Sequence, residues 1–413
     1  MGEDSLYRPV HSLTTVDRFI LLSTAFESLS YGAVAPFILL YLHFSLAFPT
    51  YLAGLAFGFS GVVSLGASLI GGVLQDHLGD TKVAAVGVLF EVAGLILIGA
   101  TGGILPVFLG FALVGLSRIK YSATNSFLTN TLRDRYPVEK FFSYQFTVTN
   151  AGFGAGAFLG GLLANPHLRS QFDMVLFGSA FLTALSSLPY FAAKATPKEE
   201  RPSSDVSYLL ALKDERLRKL LTFNFLLNFA SYGSFEAGFP AFVGLEMRKS
   251  PHVIAAAFVV NPVAIVLLQH VVYKLSIKLD ARLQMTLTAS AFALAWIFLL
   301  GTSKVSSNFL SMIFMGTFGL IFAVGEMLYS PIRAPLIDRL ARKDMRSRYF
   351  SLAHFSRASS ELSGPVVAGY AIGTGLGYIW VGAIASVGLL SVLSAQSFNR
   401  ALRTHAHTQL PPP

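Results

Sequence analysis

Apolar runs of roughly 20 residues, the length a helix needs to cross a bilayer, recur along the whole chain and are separated by short polar breaks. The pattern predicts twelve spanning helices, at about 17–43, 50–74, 82–101, 104–131, 140–164, 172–193, 218–243, 251–273, 282–301, 307–338, 347–371 and 376–396. The longest interruption, residues 194–217, contains Pro197, Pro202, Ser203 and Ser204 and reads as a linker, with a surface helix expected over 205–219. Residues 1–193 and 218–399 are therefore expected to form two six-helix bundles. Residues 400–413, which end in three prolines, are expected to be a disordered tail.

The two halves echo one another. Ser30-Tyr31-Gly32 in span one recurs as Ser231-Tyr232-Gly233 in span seven, and Gly115 in span four matches Gly325 in span ten. Phe142-Ser143 and Gly156-Ala157 return, at a constant offset of 208, as Phe350-Ser351 and Gly364-Pro365. Two six-span repeats imply a pseudo-two-fold axis along the membrane normal, with a substrate site between the repeats near the bilayer midplane.

Composition agrees with a membrane solvent. Hydrophobic residues make up 53% of the chain and charged ones 13%, against about a quarter charged in soluble domains. The fold class expected is an all-α polytopic membrane protein. The first apolar run lacks a small-residue cleavage site and is expected to remain as a true span. No cysteine is present, which excludes disulfides and thiolate chemistry. The net charge of +9 comes from loops: of 31 Lys and Arg, 23 fall in segments on the side of the termini and four in the opposite loops (Arg169, Arg248, Lys249 and Lys304). Positive charge favours the cytoplasmic face, so both termini are expected there, and the basic balance is explained by an anionic leaflet rather than by nucleic acid.

Between spans two and three lies a short charged hinge, Gly72-Val-Leu74-Gln-Asp76-His77-Leu-Gly79-Asp80-Thr-Lys82. It resembles the signature of the major facilitator superfamily in this loop, Gly-x-Leu-x-Asp-(Arg/Lys)-x-Gly-(Arg/Lys)-(Arg/Lys). Gly72, Leu74, Asp76 and Gly79 match; His77 stands where the family usually has a base, and Asp80 puts an acid where a base is expected. The resemblance implies the major facilitator fold, and that Asp76 latches against the cytoplasmic start of span eleven in the outward-open state. Span five carries Gly152, Gly154, Gly156, Ala157, Gly160 and Gly161. This is similar to the superfamily's antiporter signature with Ala157 in place of proline, and close helix packing explains the same glycines equally well.

Ionisable residues occur at membrane depth: Glu27, Glu91, Glu236, Glu326 and Glu361 against Arg118, Lys120, Arg333 and Arg357. Each lone charge at the bilayer centre costs at least about 2.5 kcal/mol, so they must pair or line a wet cavity. Arg357 and Glu361 are spaced to pair within span eleven. Glu27, Glu236 and Glu326 have no cation in their own turn. A carboxylate in a partly apolar cavity can take and release a proton near neutral pH, as coupling to a proton gradient requires. Arg118 and Lys120 are expected to set the positive side of the cavity. Tyr31, Phe235 and Tyr329 are candidates to stack on a ligand, and Asn125, Gln145, Asn150, Asn224 and Asn228 to hydrogen-bond it or to join helices.

In span ten, Gly325-Glu326-Met-Leu-Tyr329-Ser330-Pro331 resembles the Gly-Glu-x-x-Tyr-(Ser/Thr)-Pro segment of proton-driven multidrug exporters of the superfamily, whose glutamate handles a proton or cationic drug. It is also similar to the Gly-Glu-x-x-x-Ser-Pro segment of proton-coupled oligopeptide transporters, which carry a lysine in span four, as Lys120 is here. Their Glu-x-x-Glu-Arg-Phe signature in span one is not kept around Glu27. No nucleophile elbow, zinc-protease motif or nucleotide-binding loop is present, so neither an enzyme nor ATP drive is expected. The expectation is a cofactor-free transporter of a prokaryotic inner membrane, working as a monomer and exporting amphipathic or cationic small molecules in exchange for protons. Proton-driven uptake of peptides or another anionic metabolite is the alternative, and a non-transporting receptor on the same scaffold is a third reading.

Overall fold

Every described element is helical. The computed structural model describes residues 15–121, 123–124, 138–165, 167–192, 208–276, 278–302, 305–341 and 346–408. Among them, nine helices are long and apolar enough to cross a membrane. The other three predicted spans escape that count for local reasons. The apolar helix of span four is short among the described residues (Ile104–Leu116). Span seven is broken into pieces, and span eleven (Arg346–Gly373) carries Arg357 and Glu361 within it. Large apolar side chains such as Leu105 and Phe309, more than two-thirds exposed, cover the outside, as a lipid solvent demands.

The predicted ends shift in three places. The last span runs as one helix from Gly377 to Thr408, so residues 400–408 continue a helix rather than starting a disordered tail. Of the expected linker helix, residues 205–207 lie outside the described residues, Tyr208–Ala211 form a short turn, and the following helix starts at Glu215 and leads into span seven. Span one bends after Val34 and resumes at Ile38.

The pseudo-symmetry is visible in the packing. Span one lies against span five as span seven lies against span eleven; spans three and six pair as nine and twelve do. The repeated tripeptide has a physical role in this. Gly32 sits directly on the backbone of Phe153 in span five, and Gly233 on the backbone of Ser360 in span eleven; neither site has room for a Cβ. The halves meet through two crossed pairs, span two with eleven and span five with eight.

Those contacts concentrate at the end of the molecule opposite the termini, the far end. Gly54 and Gly58 of span two lie against Pro365, Val366 and Gly369 of span eleven; Gly161 of span five lies against Ala255 of span eight; and Leu40 of span one covers Gly244 of span seven. The far end is closed by apolar packing between the halves, and the space between them extends toward the termini end.

At the termini end, Asp214 caps the helix of span seven. Its carboxylate accepts from the backbone N–H of Arg216 (2.9 Å), from the Arg216 guanidinium (3.0 Å) and from the Tyr349 hydroxyl of span eleven (2.9 Å). Burial pushes this carboxyl up, but the bonds from Arg216 and Tyr349 outweigh it and hold it below the usual aspartate range. A carboxyl depressed by folding stabilises the fold above its unfolded pKa, and that contribution is lost as pH falls through the folded value. Asp214→Ala is expected to cost about 1 kcal/mol near neutral pH, typical of a lost cap. The gap in melting temperature between variant and native should close in acid, and a gap constant with pH would contradict the assignment.

Candidate functional site

Span seven breaks where the site needs it. Its helix (Glu215–Asn228) passes into a π-helical turn (Phe229–Gly233), opens at Glu236 and Ala237, and resumes as Gly238–Ala241 and a second π-turn (Phe242–Glu246). The freed carbonyls find side-chain donors: the Trp296 indole donates to Ala230 O at 2.6 Å and the Ser234 hydroxyl to Phe229 O at 2.7 Å. The break carries Glu236 toward the axis between the halves.

There the Tyr31 hydroxyl of span one donates to Glu236 Oε2 at 2.6 Å. Among the described residues this is the one side-chain hydrogen bond joining the two halves. Two lobes of space, about 630 Å³ and about 780 Å³, meet at this bond. The first is bounded by spans one, five, eight and ten, the second by spans two, four, seven and eleven; both are lined by Tyr31, Arg118, Tyr232, Glu236 and Arg357.

The charges fall into three groups. In the N-terminal half, Lys120 is buried and held between Glu27 of span one, at 2.7 Å, and Glu91 of span three. Lys120 therefore does not form the positive side of the cavity, and Glu27 is not an uncompensated acid: a buried ammonium must be neutralised, and the two carboxylates do it. Glu91 carries a role the sequence did not single out. Arg118, by contrast, lines both lobes, with its guanidinium 4.9 Å from the centre of the Tyr121 ring. In span eleven, Arg357 donates to Glu361 at 2.6 Å and lies 4.7 Å from the centre of the Tyr232 ring.

The third group is two carboxylates without a cation. Neither Glu236 nor Glu326 has a Lys or Arg nitrogen within ion-pair distance among the described residues. Glu236 is held by Tyr31, and Glu326 accepts from Asn261 Nδ2 of span eight at 2.6 Å and faces the Tyr232 hydroxyl. Both line the first lobe.

The remaining candidates distribute unevenly. Tyr329 lines both lobes and donates to Asn224 Oδ1. Gln145 and Asn150 line the first lobe and Asn228 the second. Phe235 also borders the cavity, but its ring is stacked between Phe258 (4.5 Å) and Phe322 (4.3 Å), so its faces are occupied by the core rather than offered to a ligand. Gly152, Gly156 and Gly160 pack on span one, and Gly161 on span eight, so the antiporter-like stripe is in use as helix contact. Asn125 lies outside the described residues, as do the side chain of Asp76 and the surroundings of Gly72. Gly79 adopts φ +84°, a conformation that favours glycine, and starts the helix of span three. Asp80 then occupies that helix's first turn, where the dipole favours an acid and gives a physical reason for its departure from the basic pattern.

Residues 20–365, most of the chain, match the family model of the Major Facilitator Superfamily. The chain belongs to this superfamily. It is 25% identical over 355 residues to an uncharacterized MFS-type transporter of Escherichia coli K12, YdeE, covering 85% of this chain and 87% of that protein. In fold it is similar to the nucleoside transporter NupG (TM-score 0.75, 12% identity, 94% of this chain and 99% of that one). A POT family transporter solved with a thioalcohol-conjugated peptide is similar too (TM-score 0.73, 15% identity, 94% and 96%). At those identities the likeness speaks for the fold alone. The protein is thus a multi-pass superfamily transporter for a small-molecule substrate.

Proposed function

We propose that this transporter is a proton-coupled antiporter that exports amphipathic or cationic small molecules from the cytoplasm of a prokaryotic cell, with both termini cytoplasmic. The observation that carries the reading is Glu236, a carboxylate without a cation whose bonding partner, Tyr31, belongs to the other half. A proton can drive a conformational change only if it binds one state better than the other. A carboxylate whose partners all lie in its own half feels little change when the halves rock. Glu236 exchanges its partner as they do, so its proton affinity must differ between the states. Glu326, ringed by neutral donors, supplies the negative charge that an organic cation or a second proton would meet. Tyr31 and Tyr329 line the same space and are the aromatic side chains placed to stack on such a ligand, while the Tyr232 ring already carries Arg357.

A second reading, proton-driven uptake of peptides or another anionic metabolite, is favoured by the cavity cations Arg118, Arg333 and Arg357 and by the fold shared with a POT family transporter. Proteoliposomes with an imposed proton gradient separate the two. Antiport predicts that a planar organic cation moves against the proton flow, and that Glu326→Gln lowers this flux at least about tenfold. Accumulation of a dipeptide with the proton flow would replace antiport by the second reading, and the absence of any flux would favour a receptor.

A further inference from the structure

Away from the central cavity, the closed far end contains a second hollow of about 840 Å³ on the seam between the halves. Its charge is one-sided. Arg248 and Lys249 line it from the loop after span seven, and the imidazoles of His43, His167 and His252 border it from the ends of spans one, five and eight. No Asp or Glu is among its lining residues. The two acids at the far end, on the helices of spans six and seven, are engaged elsewhere: Asp173 with the Tyr41 hydroxyl (2.6 Å) and Arg169 (3.4 Å), and Glu246 with the backbone N–H of Gly377 (3.2 Å).

The two cations are placed differently. The Lys249 ammonium donates to the carbonyl of Val305 at 2.5 Å, which fixes it without neutralising it. Arg248 is exposed at φ +53°, the left-handed position that ends the broken span seven. Glycine is the residue that position ordinarily favours, and a side chain there strains the backbone. A strained arginine beside a lysine that has no carboxylate on it among the described residues, over a hollow with no acid in its lining, is a concentration of uncompensated positive charge. The lining also includes apolar side chains, among them Phe44, Leu162, Leu245 and Pro251.

We infer that this hollow binds an organic anion, its carboxylate or phosphate head on Arg248 and Lys249 and its apolar body between Phe44 and Leu162. The head has two sources, a solute at the far mouth of the transport path or a lipid of the facing leaflet. Because residues of both halves line the hollow, an anion held there bridges them and favours the closed far end. The site stands on its own residues and requires neither the direction of transport nor the coupling ion proposed above.

Arg248→Gly is the discriminating variant, because it removes the charge and relieves the backbone at the same position. Octanoate is titrated onto the purified transporter in nanodiscs of phosphatidylcholine, with melting temperature as the readout. In parallel, the melting temperature is compared between phosphatidylcholine and phosphatidylglycerol nanodiscs. A rise with octanoate that is weakened about tenfold in affinity by Arg248→Gly supports a solute site. A rise confined to phosphatidylglycerol and lost in the variant supports a lipid headgroup. Neither rise, or either rise unchanged by Arg248→Gly, overturns the assignment; a variant melting at or above the native protein shows that the loss is not one of folding.

Discussion

Replacing Lys120 with Met is expected to cost about 3 kcal/mol of stability, the lower end of the range for stranding buried charge. The ammonium is almost fully buried, with side-chain exposure of 3%, while Glu91 is 15% and Glu27 30% exposed. Deleting it leaves two carboxylates facing each other with the cation gone. Glu27 retains some solvent, which is why the lower end of the range applies. Since whole domains are stable by only about 5–15 kcal/mol, the variant should show a markedly lower yield of monodisperse protein and a lower melting temperature. The triple variant Glu27→Gln, Glu91→Gln, Lys120→Met should recover most of the loss, because removing all the charges together leaves none unpaired. A Lys120→Met protein melting like the native one would mean that the cluster does not form in the membrane.

The second large effect concerns the bond between the halves. Tyr31→Phe keeps the ring and removes the hydroxyl that Glu236 accepts from. A hydrogen bond to a charged group is worth about 1.5–3 kcal/mol, so the balance between the closed far end and its open counterpart should shift roughly ten- to a hundredfold toward opening. The chain has no cysteine, so spin labels can be placed cleanly at Leu105→Cys and Phe309→Cys, exposed far-end starts of spans four and ten in opposite halves. Their distance distribution should move to longer values in Tyr31→Phe. Glu236→Gln, whose amide oxygen still accepts from Tyr31 but without the charge, should shift it the same way by less, and should also abolish proton-driven flux while leaving substrate counterflow intact. In the double variant the shift should be no larger than in Tyr31→Phe alone, because both changes act on one bond. An additive double variant would show that the two side chains act separately.

Much of the architecture was legible from spacing. Apolar runs long enough to cross a bilayer, glycines at fixed offsets and a repeated Ser-Tyr-Gly are local signals. They led to twelve spans in two like halves because a lipid solvent forces helices and rewards close backbone contact. Arg357 and Glu361 pair as their i,i+4 spacing implies, since the geometry of one helix brings them together. The charged hinge between Gly72 and Lys82 revealed its position in the fold and the reason for Gly79 and Asp80.

What the sequence could not assign was partnership across helices. Lys120 was expected in the cavity and lies beneath its wall; Phe235 was expected to offer a ring face and is stacked into the core. Glu91 and Asn261 became important only as partners of Lys120 and Glu326. The insertion cost of a lysine did demand a carboxylate, but five acids were available and nothing in the order of residues said which was near. Helix rotation and the break in span seven decided that. So the sequence by itself determined the membrane solvent, the spans, the repeat and the set of ionisable groups. Tertiary packing decided which charges cancel, leaving Glu236 and Glu326 without a cation and Tyr31 as the link between the halves, because neutralisation depends on a few ångströms across helices that periodicity along one helix does not encode.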